Sequence, residues 1–177
     1  MTMRKTGMFF LFLALAPSSA WAQAAAPGMF GVQEVIVEYA RFEDAKAADS
    51  CGLSREQIAD AIAKTLVGTG VPAVPVAEAK PPAMGVARIQ LITEVFSRID
   101  ETLSCTSFVS LSAESKSNAI LPPISTPRSI TAVYWRRHAM IISGQSMHGQ
   151  QITAAVQKML MPFIQQYRVD QPPVIVK

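Results

Sequence analysis

From Val32 to Tyr39 hydrophobic and polar residues alternate, with Val35, Val37 and Tyr39 on one side and Glu34, Ile36 and Glu38 on the other. Alternation at a period of two predicts a β-strand with at least one buried face. The period then changes. Ile58, Ile62 and Leu66 recur every four residues with Ala61 and Thr65 beside them, which predicts an amphipathic helix. Ser54 stands three residues before Gln57, a capping box, and Leu53 and Ile58 occupy the two staple positions. Gly68 and Gly70 close the helix. Pro72, Pro75, Pro81 and Pro82 then predict an extended connection from Val71 to Gly85.

Two further alternating runs follow. In VARIQLITEVF, Ile89, Leu91 and Val95 share one face with Ala87 and Thr93, while Arg88, Gln90 and Glu94 mark the other. After the turn SRIDET, LSCTSFVSLS puts Leu103, Cys105, Val109 and Leu111 on one face and Ser104, Thr106, Ser110 and Ser112 opposite. The two runs predict an antiparallel pair with one wetter face. Ala113 to Arg128 reads as a long Ser/Pro loop, ITAVYWR as another strand, and Met140 to Ser143 as its extension or its return. Gly144 to Gly149 reads as a turn. Gln150 to Arg168 is helical by the spacing of Ile152, Val156, Leu160, Phe163 and Tyr167, with Pro162 expected to kink it or start a new turn. The order β-α-β-β-β-α predicts an α+β two-layer sandwich: one mainly antiparallel sheet with two helices on its apolar face.

The first residues change what counts as the domain. Arg4 and Lys5 precede an apolar run from Met8 to Ala16, and Ala20-Trp21-Ala22 forms a small-x-small site before Gln23. This is the three-part pattern of a secretory signal peptide. Pro17 and two serines interrupt the run well short of the ~20 residues a membrane span needs, and no cysteine stands at a lipobox position. Residues 1–22 are thus read as a signal peptide, 23–31 as a loose leader, 32–168 as one domain and 169–177 as an extended tail. Cleavage removes Arg4 and Lys5 from the 16 basic residues and leaves all 13 acids, so the formal charge falls from +3 to about +1. That balance gives no argument for nucleic acid, and no second long apolar segment predicts a membrane span.

Four groups of residues carry candidate chemistry. Cys51 and Cys105 are the only cysteines; export to an oxidising compartment favours a bridge between them. Closing a loop of about 55 residues contributes about 4 kcal/mol in the chain-entropy model. The alternative is a reactive thiol at a helix N-terminus. The stretch SGQSMHG, Ser143 to Gly149, resembles a nucleophile elbow around Ser146, with His148 nearby. Against it, His148 occupies the place of a small residue and no histidine follows; the plainer reading is a glycine turn with Ser146 as helix cap. His138 and His148 with Met140, Met147, Met159 and Met161 could be imagined as soft metal ligands, but methionine at helical spacing is far more often core filler, and no metal or other cofactor is expected. Tyr134, Trp135, Arg136 and Arg137 form the candidate contact patch, because Trp and Arg concentrate binding energy. The plainer reading is a core Trp beside two solvated arginines.

This order of elements resembles the small α/β module at the start of the periplasmic protein TolB. It also resembles the modules of the curli-secretion lipoprotein and of the lipoprotein activator of penicillin-binding proteins. The pairing of SCGL before the first helix with LSCTSF in a middle strand is similar to sets of exported bacterial proteins. The resemblance covers residues 32–168 and implies binding to a protein of the cell envelope rather than catalysis. The expected function is therefore a non-catalytic, disulfide-stapled periplasmic domain that binds another envelope component through the serine-lined sheet face and the strand around Trp135. A small exported hydrolase centred on Ser146 and His148 is the alternative, and an enzyme inhibitor a third. Mature protein is expected to begin near Gln23. Intact mass of exported material checks this, and retention of Arg4 and Lys5 would overturn both the localisation and the charge balance.

Overall fold

A computed structural model describes residues 28–81, 86–119, 126 and 128–171, with backbone alone at 117–119. Its elements are β1 (Val32–Val37), β2 (Arg41–Phe42), α1 (Ala45–Ser50), α2 (Arg55–Gly68), β3 (Ala73–Pro75), β4 (Ala87–Ile99), β5 (Ser104–Ala119), β6 (Arg128–Gly144) and α3 (Gln145–Asp170), with a 3-10 turn at Val76–Glu78. The strands form one sheet in the order β3-β1-β4-β5-β6, and β2 pairs with β4 beside this path. β3 and β4 run parallel to β1, whereas β5 runs antiparallel to β4 and to β6.

Helices cover one face of this sheet, and the residues that put them there are the periodic ones. Ser54 caps α2 by accepting a hydrogen bond from the Gln57 N–H at 3.3 Å, and the staple residues Leu53 and Ile58 are both buried. Ile58, Ile62 and Leu66 form the buried stripe of α2; Ile152, Val156, Leu160, Phe163 and Tyr167 form that of α3. These stripes meet Val35 and Val37 of β1, Ile89, Leu91 and Val95 of β4, and Cys105, Val109, Leu111 and Ala113 of β5 in one cluster. Burying a side chain of this size contributes about 1.5–3 kcal/mol before the entropy of ordering it is counted. At the C-terminal end of α3, the Tyr167 hydroxyl donates to the Val32 carbonyl at 2.9 Å. There too Asp170 accepts from the Met29 N–H at 2.7 Å, which ties residues 28–31 of the expected loose leader to the domain.

The start of α3 is held by a disulfide and a close backbone approach. Cys51 and Cys105 are bonded, with Cα atoms 5.9 Å apart, so the turn between α1 and α2 is fixed to the first residues of β5. Gly149, in the second turn of α3, lies against this same turn. A Cβ there would sit 2.6 Å from the Gly52 carbonyl oxygen, so only glycine lets α3 approach so closely.

The α+β sandwich with its helices on one face holds, but its detail is richer than periodicity predicts. The sheet is mixed because the chain, after two helices on one face, returns beside β1 as β3, and a crossover of that kind makes parallel neighbours. Three short elements, β2, α1 and β3, occupy stretches that read as connections. The expected loop from Ala113 is strand as far as Ala119, because β6 offers a partner for every residue of that run. Met140–Ser143 continues β6, and the expected turn at Gly144–Gly149 is the first turn of α3. Gly144 stands at its N-cap, so Ser146 does not cap it, and Pro162 lies inside a helix that runs on to Asp170, past the expected end at Arg168. Leu103 is not on the apolar face: it sits in the β4–β5 turn, largely exposed at a φ of 58°. The signal segment and residues 172–177 of the tail lie outside the described residues.

Reduction of the Cys51–Cys105 bond is expected to lower unfolding stability by about 2–4 kcal/mol. Denaturant titration with and without reductant checks this. Equal stability of the two forms would show that α1, α2 and β5 are held by packing alone.

Candidate functional site

Alternation along β4, β5 and β6 sends every second side chain away from the helices, and those side chains build the open face. Toward the β1 side this face is crowded. Arg88 pairs with Glu34 there and donates to the Lys80 carbonyl at 2.6 Å, while Ile36 and Ile92 are buried. Toward the β6 edge it is bare. Phe96, Phe108 and Met140 are register partners across the three strands and form one row; Arg98, Thr106 and Ile142 form the next. Phe108 is 46% exposed, Met140 69% and Ile142 61%. Single exposed apolar residues are ordinary, but a contiguous set marks an interaction surface.

Polar groups frame this strip. The His138 ring stacks on Phe108 with centroids 5.3 Å apart, and the Arg98 guanidinium lies 5.3 Å from the Phe96 ring centroid. Beside them a groove of about 400 Å³ is lined by Arg41, Phe42, Glu94, Phe96, Phe108 and Ser110. Three aromatic rings with the Glu43 and Glu94 carboxylates and the Arg41 guanidinium beside them suit a side chain that is apolar along its length and polar at its tip.

Beneath the sheet, on the helix side, lies a buried polar chain. The Ser97 and Ser107 hydroxyls are 2.7 Å apart, Ser107 meets His148 Nε2 at 2.7 Å, and Ser143 meets His148 Nδ1 at 2.7 Å. His148 is fully buried, as are Ser97 and Ser107. Both ring nitrogens are thereby satisfied by hydroxyls, and no carboxylate takes part. The imidazole has no solvent access and no acid to stabilise its charged form, which a general base would require.

Ser146 is exposed and is not a hydrogen-bond partner of His148, because the helical turn starting at Gln145 points the two side chains apart. The nucleophile elbow is therefore not assembled. His138 lies on the open face and His148 under the sheet, so the two histidines do not converge. No group of three or more His, Cys, Asp or Glu side chains comes together among the described residues. Met147 and Met161 are exposed on α3, whereas Met159 packs against the core. Tyr134 and Trp135 are half-buried against the core, and the Trp135 ring meets Phe163 edge-on at 5.4 Å. Arg136 projects to the open face, where it pairs with Glu114 at 3.1 Å. Arg137 is exposed on the helix side. Phe96, Phe108 and Ile142 had escaped the sequence reading, although each is an apolar residue at a position whose parity belongs to the polar face.

An open-faced α+β fold with a single buried histidine is the class these features define. No protein-family model matches the chain, and no curated protein does. Among solved structures, the chain is similar to a PelC variant dodecamer from Paraburkholderia phytofirmans, with a TM-score of 0.49, 16% identity, and coverage of 81% of this chain and 94% of that one. It is also similar to a neuraminyllactose-binding hemagglutinin homolog from Helicobacter pylori, with a TM-score of 0.30, 12% identity, and coverage of 77% and 86%. Both are partial likenesses of chain path at low identity, and neither shows the expected TolB-type module. No helix among the described residues is long and apolar enough to cross a membrane.

Burial pushes His148 below the ordinary imidazole range, so the folded protein keeps it neutral where the unfolded chain already takes up a proton. The stability this contributes is complete above pH ~6.5. It is lost as pH falls from there toward the depressed folded value, because the unfolded state binds more protons in that window. Replacing His148 by Gln is expected to flatten the pH dependence of unfolding free energy below pH ~6.5, as measured by denaturant titration. An unchanged slope would show that another group carries it.

Proposed function

We propose that the chain is a non-catalytic binding domain of the bacterial cell envelope that holds another envelope protein on the open face of its sheet. The observation that carries this reading is the contiguous strip of exposed Phe108, Met140 and Ile142, beside the half-buried Phe96, on the sheet face opposite the helices. The groove beside it supplies the concave part of such a surface, and Arg98, Arg136 and His138 supply a polar rim. Of the contact patch at Tyr134–Arg137, Arg136 belongs to this surface directly. Tyr134 and Trp135 support it from beneath by seating β6 on the core, and Arg137 lies on the helix side.

The disulfide supports the compartment, since such bonds form and persist where thiols are oxidised. Export with cleavage near Ala22 and Gln23 delivers the domain there. The hydrolase reading loses its support where His148 is enclosed by Ser107 and Ser143 rather than paired with Ser146.

Capture from envelope extract with cross-linked mature protein tests the proposal. Phe108→Ser and Arg136→Ala are expected to leave the melting temperature nearly unchanged, since both side chains are well exposed. Phe108→Ser is expected to weaken capture by about tenfold or more, and Arg136→Ala by less. Undiminished capture by both variants would move the contact away from this face.

A further inference from the structure

We propose that the outer edge of β6 pairs antiparallel with the same edge of a second copy of this chain, along His138–Gly144. β6 is the last strand of the sheet and 17 residues long, and among the described residues no strand pairs with its outer side. Such an edge presents a row of backbone N–H and C=O groups ready to pair, and proteins guard it with charge, proline or a covering segment. The guard here is uneven. Arg128, Arg136 and Arg137 are the only charged residues of β6, and all stand in its first ten positions. From His138 to Gly144 there is no Asp, Glu, Lys, Arg or Pro, and this is the stretch where Met140 and Ile142 are most exposed.

The register follows from the sequence of that stretch. Setting Ile141 opposite the second copy's Ile141 puts Met140 opposite Ile142, Ala139 opposite Ser143 and His138 opposite Gly144. Large side chains meet apolar or small ones, and no arginine faces another. Paired residues point to the same side of a sheet, so this register keeps both helical layers on one side and both open faces on the other. The row Phe96–Phe108–Met140 then continues into Ile142 and Thr106 of the second copy, and the reverse row does the same. Each strip is half of a band that crosses the dimer axis. A second copy is favoured over a foreign strand because the uncharged stretch complements itself, whereas the three arginines that would select an acidic strand lie outside it.

This deepens the binding reading by making the contact surface a joint property of two copies. Sedimentation of mature protein over about 1–100 μM is expected to give twice the monomer mass. Ile142→Lys and Met140→Lys each place a charge beside its mate in the pairing and are expected to yield folded monomers whose melting temperature no longer rises with protein concentration. Ile142→Cys in both copies brings two thiols to diagonal positions about 7–8 Å apart, which a short bifunctional maleimide is expected to link. A monomer at every concentration would overturn the pairing, as would a dimer indifferent to both lysines and unlinked at position 142. A monomer that still captures its envelope partner through Phe108 would overturn the pairing while leaving the binding reading intact.

Discussion

The corner where α3 begins is the constraint on which the rest of the molecule depends. Within seven residues, Ser143 at the end of β6 hydrogen-bonds His148 and Gly149 is pressed onto the Gly52 carbonyl. Ser143 is the register partner of Cys105, and Cys105 is bonded to Cys51, so the loop before α2, the first residues of β5, the end of β6 and the start of α3 share one point. The polar atoms buried there are matched hydroxyl to imidazole. Leaving one unmatched would cost about 1–3 kcal/mol, comparable to losing a methylene or two from the core. From this point the direction of α3 is set, and its stripe from Ile152 to Tyr167 falls onto the sheet face that Val109 and Leu111 provide.

Placing all the helices on that face leaves the other as a surface with its own chemistry. Its serines Ser110 and Ser112 are buried among neighbouring side chains, and Ser112 donates to Glu114, which also pairs with Arg136. That half of the face is largely internally satisfied and meets a partner only at the rim, through Arg136 and the groove that Ser110 lines. The half built from Phe96, Phe108, Met140 and Ile142 is not. The wetter face expected from the serines is thus divided, and its reactive part is apolar rather than polar.

What could be read in the sequence depended on how local the cause was. The helix α2 was legible because its cap, staple and stripe all lie within fourteen or so neighbouring residues, and each signal repeats the others. The bridge was legible because two cysteines leave one pairing. β2 and β3 were not, since two and three residues carry no period and owe their conformation to distant partners in β4 and β1. The strand beyond Ala113 was hidden for the same reason: the polar run from Glu114 to Ala119 is held extended by β6 pairing, not by its own pattern. His148 was conspicuous as a residue but misleading as a site, because the hydroxyls that enclose it come from Ser107 and Ser143 on different strands. Phe108 shows the opposite case. Its parity among Thr106, Ser110 and Ser112 marks it as an aromatic on a face whose serines otherwise read as wet.

The apolar strip is hard to explain as a contribution to folding. Met140 and Ile142 leave more than half of their surface in water, so they return little of the hydrophobic stabilisation that a buried position gives. On the uncharged end of an edge strand they also carry a liability, since such a segment is a template for unwanted pairing. A threonine at either position would keep the strand conformation and remove the hazard. The core side of the same strand shows no such slack: Ile141 is buried and Ala139 is packed against the cluster. One strand therefore satisfies two separate demands on its two faces, and the demand on the outer face is met only when something covers Met140 and Ile142. The proposed contact with another chain is a condition under which this sequence of residues stops being a cost.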